Sequence, residues 1–168
     1  DLARIDEAAE HLNEEYDLIL TTSTHFTEVE QYINSNKVLA MVAMTPSVGT
    51  IVRLAKIGDT QKVGIFCASD AFAGVVRSNC QGMGSWSEQM ATQLAGIFER
   101  EEQFFAENDV VIVPEGYETF VTPEEKARLQ RFSDEGGQLV SYSYKVDKGS
   151  FLHVVEQIKR VMNKKRSM

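Results

Sequence analysis

The sequence has few of the residues that staple or punctuate a chain. Only 2 of its 168 residues are cysteine and only 3 are proline. Cys67 and Cys80 sit inside apolar segments and lack the spacing of metal ligands, so neither a disulfide framework nor a zinc site accounts for stability, and a reducing, cytoplasmic setting is expected. Long hydrophobic runs are also missing: the longest apolar stretches fall far short of the roughly 20 residues that cross a bilayer. Positive charge is scarce. With 17 Lys and Arg against 25 Asp and Glu, the net charge is -8, which leaves no concentrated basic surface for a nucleic-acid groove. If the complete protein touches DNA, a domain absent from this chain does so. The chain opens with Asp1, not Met, and has no secretory leader pattern, so it is expected to be a piece of a longer polypeptide.

What is present describes a globule. The composition is 43% hydrophobic and 25% charged, enough to build a core in one ordinary domain spanning residues 1–168. Short apolar runs alternate with amphipathic ones. Tyr16 to Thr22, Lys37 to Met44, Lys62 to Ser69, Asp109 to Glu115 and Gln138 to Tyr144 are too short for helices, and their continuous apolar character is that of strands buried on both faces. Between them the period becomes helical. Leu2, Ile5, Ala9 and Leu12 form one stripe, and Phe26, Val29 and Ile33 another. Thr45-Pro46 and Thr122-Pro123 read as N-cap and first-turn proline, the second with Glu125 completing a capping box. Ser85 to Glu88 has the same spacing and predicts a long helix through Met90, Leu94, Ile97, Phe98, Phe104 and Phe105. Its Glu99-Arg100-Glu101-Glu102 run reads as the wet face and its phenylalanines as core. The fold class expected is α/β: a three-layer, doubly wound, Rossmann-like sandwich around a mostly parallel sheet of five strands, or six if the long 70–108 connection hides one.

In such a sheet ligands bind outside the carboxyl ends of the strands, where the strand order reverses. For the order 2-1-3-4-5 that point lies between the first and third strands. Thr21, Thr22, Ser23, Thr24 and His25 would meet Ser69, Asp70 and Phe72 there, with Thr45 and Ser47 close by and Glu115 at the same edge. Hydroxyls and helix N-termini together suit a small anion, and His25 adds a group able to donate to it. No catalytic residue, cofactor or metal is expected. Gly-x-Gly-x-x-Gly is missing after the first strand, no Walker A sequence occurs, and residues 21–25 hold no carboxylate pair for Mg²⁺.

Two resemblances follow from the motifs. Asp17 to His25, then Met44 to Thr50, then Lys62 to Ser69 run in the order found in the aspartate/glutamate racemase superfamily. That likeness implies proton transfer by paired thiols, but Thr and Ser stand where the first thiol is expected and Cys67 lies within a strand. The same layout resembles the effector-sensing domain behind the winged helix of some GntR-type bacterial transcription regulators, through Asp17, Ile19, Thr21 and His25, then Pro46, Leu54 and Ala55, then Val63, Gly64, Ile65 and Cys67. This second likeness implies a regulatory domain, likewise cytoplasmic, that binds a small anionic metabolite and forms a homodimer, with residues 2–14 and 86–107 as candidate dimer faces. The alternative is a racemase- or isomerase-like enzyme in which His25 or Asp70 serves as the base.

Overall fold

The computed structural model describes residues 11–166. Leu2, Ile5 and Ala9, and with them most of the first candidate dimer face, lie outside those residues. In chain order the elements are β1 (Leu18–Thr22), α1 (Phe26–Glu30), β2 (Val38–Val42), β3 (Met44–Pro46), α2 (Val48–Leu54), β4 (Val63–Cys67), α3 (Asp70–Cys80), β5 (Ala91–Leu94), α4 (Glu101–Glu107), β6 (Val110–Pro114), α5 (Pro123–Asp134), β7 (Gln138–Tyr142), β8 (Tyr144–Val146) and α6 (Lys148–Arg166). The chain forms two compact units, one made of residues up to Thr45 together with those from Lys145 onward, the other of Pro46–Tyr144.

In the first unit β1 and β2 pair in parallel, Leu18 opposite Val38 through Thr22 opposite Val42. The crossover between them carries α1, whose Val29 is buried. Helix α6 packs on β2 through its buried Val154. Its start is fixed by polar bonds: the Asp147 N–H donates to the Ala43 carbonyl at 2.8 Å, the Asp147 carboxylate accepts the Ser150 N–H at 2.9 Å, and the Ser150 hydroxyl accepts the Ala43 N–H at 2.9 Å.

The second unit holds a four-stranded sheet in the order β5-β4-β6-β7, parallel throughout. Its strands alternate between two separate cores, as the two-residue period requires. Val63, Ile65, Cys67, Val110, Ile112, Val140 and Tyr142 pack with Leu54 of α2, Ala73, Val76 and Cys80 of α3, and Trp86. Phe66, Val111 and Val113 pack on the other side with Phe104 of α4 and with Leu129 and Phe132 of α5. Helices therefore cover both faces, and the unit is a doubly wound α/β sandwich. Gly64 is what lets α4 lie this close: a Cβ there would stand 2.5 Å from the Phe104 ring. Gly64→Ala is expected to cost about 1–3 kcal/mol by overpacking, and a urea midpoint unchanged from the parent chain would refute that close approach.

Several expectations change. Among the described residues β1 and β2, which lie in the first two predicted strands, pair with each other and not with the four-stranded sheet, so that sheet does not run 2-1-3-4-5. The 70–108 connection does hold a further strand, β5. Met90, Leu94 and Ile97 imitate a helical stripe, but Ser85–Glu88 is a single 3-10 turn, the chain returns beside β4, and helix begins only at Glu101. Phe98 is half exposed, against the core position expected of it, whereas Glu101, expected on the wet face, is fully buried. Thr45 does not cap a helix. Thr45 and Pro46 stay extended in β3, paired with β8, and the cap passes to Ser47, whose hydroxyl accepts the Thr50 N–H. The second proline site is as expected, since Thr122 and Glu125 form a full capping box on α5.

Candidate functional site

From β4 the chain first adds β5 on one side, then crosses to place β6 on the other. The strand order therefore reverses between β4 and β6, and a ligand site belongs outside their carboxyl ends. Two of the predicted segments meet this condition. Ser69 N-caps α3 directly after β4, its hydroxyl accepting the Phe72 N–H at 3.4 Å, and Asp70 lies exposed in the first turn. After β6, Glu115 is exposed, its N–H donates to the Tyr142 carbonyl at 2.9 Å, and Gly116 turns the chain with φ +76. The left-handed conformation at Gly116 leaves this edge free of a side chain at the turn. Of the first N–H groups of α3, that of Phe72 is capped by the Ser69 hydroxyl and that of Ala73 donates to the Ser69 carbonyl, which leaves those of Asp70 and Ala71 for the same edge.

Phe72 is held in place by stacking. Its ring lies 5.8 Å from that of Tyr142 and 6.1 Å from that of Tyr144, edge-on to both. Burial drives both phenols upward, Tyr144 to about 12, so they stay neutral across the physiological range. Cys67 ends β4 beneath this cluster, and its Sγ donates to the Ser69 carbonyl at 3.2 Å. Burial raises its pKa; the Ser69 and Ala73 backbone groups only partly offset this, and the Asp70 charge adds to the rise. Burial likewise pushes Cys80 up to about 11. Both cysteines are thus protonated thiols at neutral pH, poor nucleophiles and poor bases.

Ser47 belongs to a different device. Its Oγ lies 2.8 Å from that of Ser143. Fully buried Thr50 accepts the Ser143 N–H at 2.9 Å and donates to the Ser143 carbonyl at 3.2 Å. The three hydroxyls satisfy one another and clasp α2 to the end of β7. Thr50→Val is expected to strand the Ser143 N–H and cost about 1–3 kcal/mol, read as a fall in the urea midpoint with unchanged m-value. A variant as stable as its parent would show the clasp to be dispensable.

In the first unit Thr21 and Thr22 end β1, and Ser23, Thr24 and His25 follow it. The Ser23 N–H donates to the Val42 carbonyl at 3.0 Å, and His25 Nδ1 lies 2.9 Å from Glu28 Oε2. Both groups have partners within the fold, as an N-terminal helix turn requires. Ser69, Asp70, Phe72 and Glu115 are placed by the second unit; Thr45 is in β3.

One group at the carboxyl edge does more than the cap expected of it. Glu125, the capping-box carboxylate, accepts the Thr122 N–H at 2.8 Å and also the Gly96 N–H at 2.6 Å, so it ties the loop after β5 to α5. Burial pushes its carboxyl up, but those N–H groups, the Thr122 hydroxyl and Arg128 outweigh burial and hold it below the ordinary range. Glu101 pairs with Arg128, and its other carboxylate oxygen is buried without a partner. For Glu101 burial prevails, with the Glu125 charge adding to it, and the pKa is raised despite Arg128. The capping box made Glu125 visible in the sequence. Nothing local marked Glu101.

A parallel α/β sheet with its free edge at the β4/β6 reversal defines a Rossmann-like class of domain. The chain belongs to the YmtS Rossmann-like domain family, which matches residues 64–165, from the second residue of β4 into the last helix. No curated protein and no solved structure shows significant similarity to it.

Proposed function

We propose that the chain is a ligand-binding regulatory domain whose site is the carboxyl edge between β4 and β6. The observation that carries this reading is the start of α3. Ser69, Asp70 and free helix N–H groups follow the central strand at the strand-order reversal, next to the Gly116 turn. The N–H groups suit a carboxylate or phosphate, while the exposed Asp70 carboxylate accepts an ammonium group. A small anionic metabolite that carries an amino group, an acidic amino acid in the simplest case, matches both. The regulatory role accords with the likeness to GntR-type effector domains, with DNA contacted by another domain and the chain acting as a homodimer in the cytoplasm. The ligand would then shift the population between two arrangements.

The alternative is a racemase- or isomerase-like enzyme in which His25 or Asp70 serves as the base. Cys67, beside the start of α3, does not supply that base, because burial raises its thiol and proton transfer at a carbon needs a group that ionises near the working pH.

Thermal shift against aspartate, glutamate, succinate and inorganic phosphate tests the proposal. A ligand present at 100 times its Kd stabilises the fold by about 2.7 kcal/mol. An acidic amino acid is expected to raise Tm, succinate to do so less, and Asp70→Asn to reduce the amino acid's effect to that of succinate. No shift with any of the four, or a shift that Asp70→Asn leaves intact, would refute the site. Consumption of the ligand on prolonged incubation would favour the enzyme.

A further inference from the structure

The outer edge of β5 presents a short window of open backbone. The Ala95 N–H donates to the Cys67 carbonyl at 2.8 Å, so alternation along the strand turns Ala91, Gln93 and Ala95 toward β4 and Met90, Thr92 and Leu94 outward. Two of the outward acceptors are occupied. Arg77 donates to the Met90 carbonyl at 3.1 Å, and the Leu94 carbonyl accepts the Ile97 N–H at 3.2 Å and the Gln93 side-chain amide. Among the described residues no partner meets the Thr92 N–H, the Thr92 carbonyl or the Leu94 N–H: the donor, acceptor, donor sequence that one residue of an added strand and its neighbour would meet.

A groove of about 530 Å³ runs along all four residues of β5, walled by α4. Asp70, Glu99 and Glu107 line it with Arg100, and Arg77, bonded to the Met90 carbonyl and the Thr92 hydroxyl, stands at the strand itself, so carboxylates still outnumber cations three to two. At four residues β5 is short for an edge strand, and it carries neither proline nor lysine to blunt it. We infer that this edge docks an extended, basic segment of a partner polypeptide, which pairs its backbone with Thr92 and Leu94 while its cationic side chains face Asp70, Glu99 and Glu107. Charge selects this occupant over an acidic one. A second copy of β5, itself uncharged, would bring no cation to the groove. The inference does not rest on the proposed ligand site, but Asp70 belongs to both, so its test leaves Asp70 unchanged.

The test uses the 168-residue chain, ¹⁵N-labelled, and three capped peptides: Lys-Val-Lys-Val-Lys, its Glu-Val-Glu-Val-Glu counterpart, and the basic peptide N-methylated at its centre. The basic peptide is expected to shift the Thr92 and Leu94 amide signals saturably. N-methylation, which removes a backbone donor, and reversal of charge are each expected to weaken binding about tenfold, the equivalent of one hydrogen bond of about 1.4 kcal/mol. Glu99→Gln with Glu107→Gln is expected to narrow the preference for the basic peptide. The inference is overturned if the basic peptide does not bind, if it binds while the Thr92 and Leu94 signals stay put, or if the methylated peptide binds equally well. Because two of the comparisons change only the peptide, loss of folding in a variant cannot produce the result.

Discussion

Replacing Arg128 with Met is expected to destabilise the chain by about 3–5 kcal/mol at neutral pH, because it leaves a buried carboxylate without its counter-charge. Glu101 is fully buried, Arg128 is its one ion-pair partner among the described residues, and one of its oxygens already has no hydrogen bond. The guanidinium also lies 5.8 Å from the centre of the Phe98 ring, so its loss removes one contact of the loop after β5, which Glu125 still holds at Gly96. The penalty should depend on pH. Glu101 has its pKa raised in the fold by burial, so the folded state binds its proton more tightly than the unfolded chain does. Its contribution is favourable below the ordinary carboxylate range and is lost as pH rises through the folded value. Without Arg128 that folded value climbs further. The difference between Arg128→Met and the parent should therefore be small in acid and grow toward neutrality. Glu125, held below the ordinary range, runs the other way: its contribution is present above that range and lost as pH falls. Pairing Arg128→Met with Glu101→Gln should recover most of the loss. Urea unfolding at several pH values decides the matter, and a loss below about 1 kcal/mol at neutral pH would reduce the pair to an ordinary surface contact.

The second large effect concerns two adjacent residues. Ile65 and Phe66 are both fully inaccessible, yet they belong to different cores. Phe66→Ala is expected to cost about 3–5 kcal/mol and Ile65→Ala about 2–5 kcal/mol, from lost transfer energy and the cavity left behind. A sheet wet on one face would show one large value and one near zero, and that result would refute the three-layer arrangement. The point bears on function because the candidate site is placed by the end of this same strand. A strand gripped from both sides holds Ser69 and Asp70 on a rigid base.

Element type was readable where hydrophobic pattern alone decides it. Lys62 to Ser69 and Asp109 to Glu115 can only be buried strands, and Thr122 to Glu125 can only open a helix. Pairing was not readable, because Tyr16 to Thr22 looks no different from a strand of the main sheet. The choice between one sheet and two rests on contacts between residues far apart in sequence. A strand in the 70–108 connection could be allowed for but not located, because Thr92 and Gln93 dilute the apolar character of β5 while Met90, Leu94 and Ile97 keep a helical spacing. Glu101 was hidden inside a run of four charges; only the approach of Arg128, 27 residues on, makes its burial tolerable. Of the candidate site, Ser69, Asp70 and Glu115 followed from strand ends alone. The Ser47, Thr50 and Ser143 clasp did not, since it joins positions 93 residues apart.

That clasp has a topological meaning. The Ser47 N–H donates to the Ser143 carbonyl at 2.8 Å, so the chain enters and leaves the second unit at a single point. The second unit is in effect a guest inserted into the first, and the host is split between residues before and after it. For the host to form, Ala43 must meet Asp147 and Ser150. In an unstructured chain that means closing a very long loop, with an entropy cost that grows with the logarithm of its length. Once the guest has folded with its two ends side by side, almost none of that cost remains. Assembly of the discontinuous unit is thereby made to wait on the continuous one.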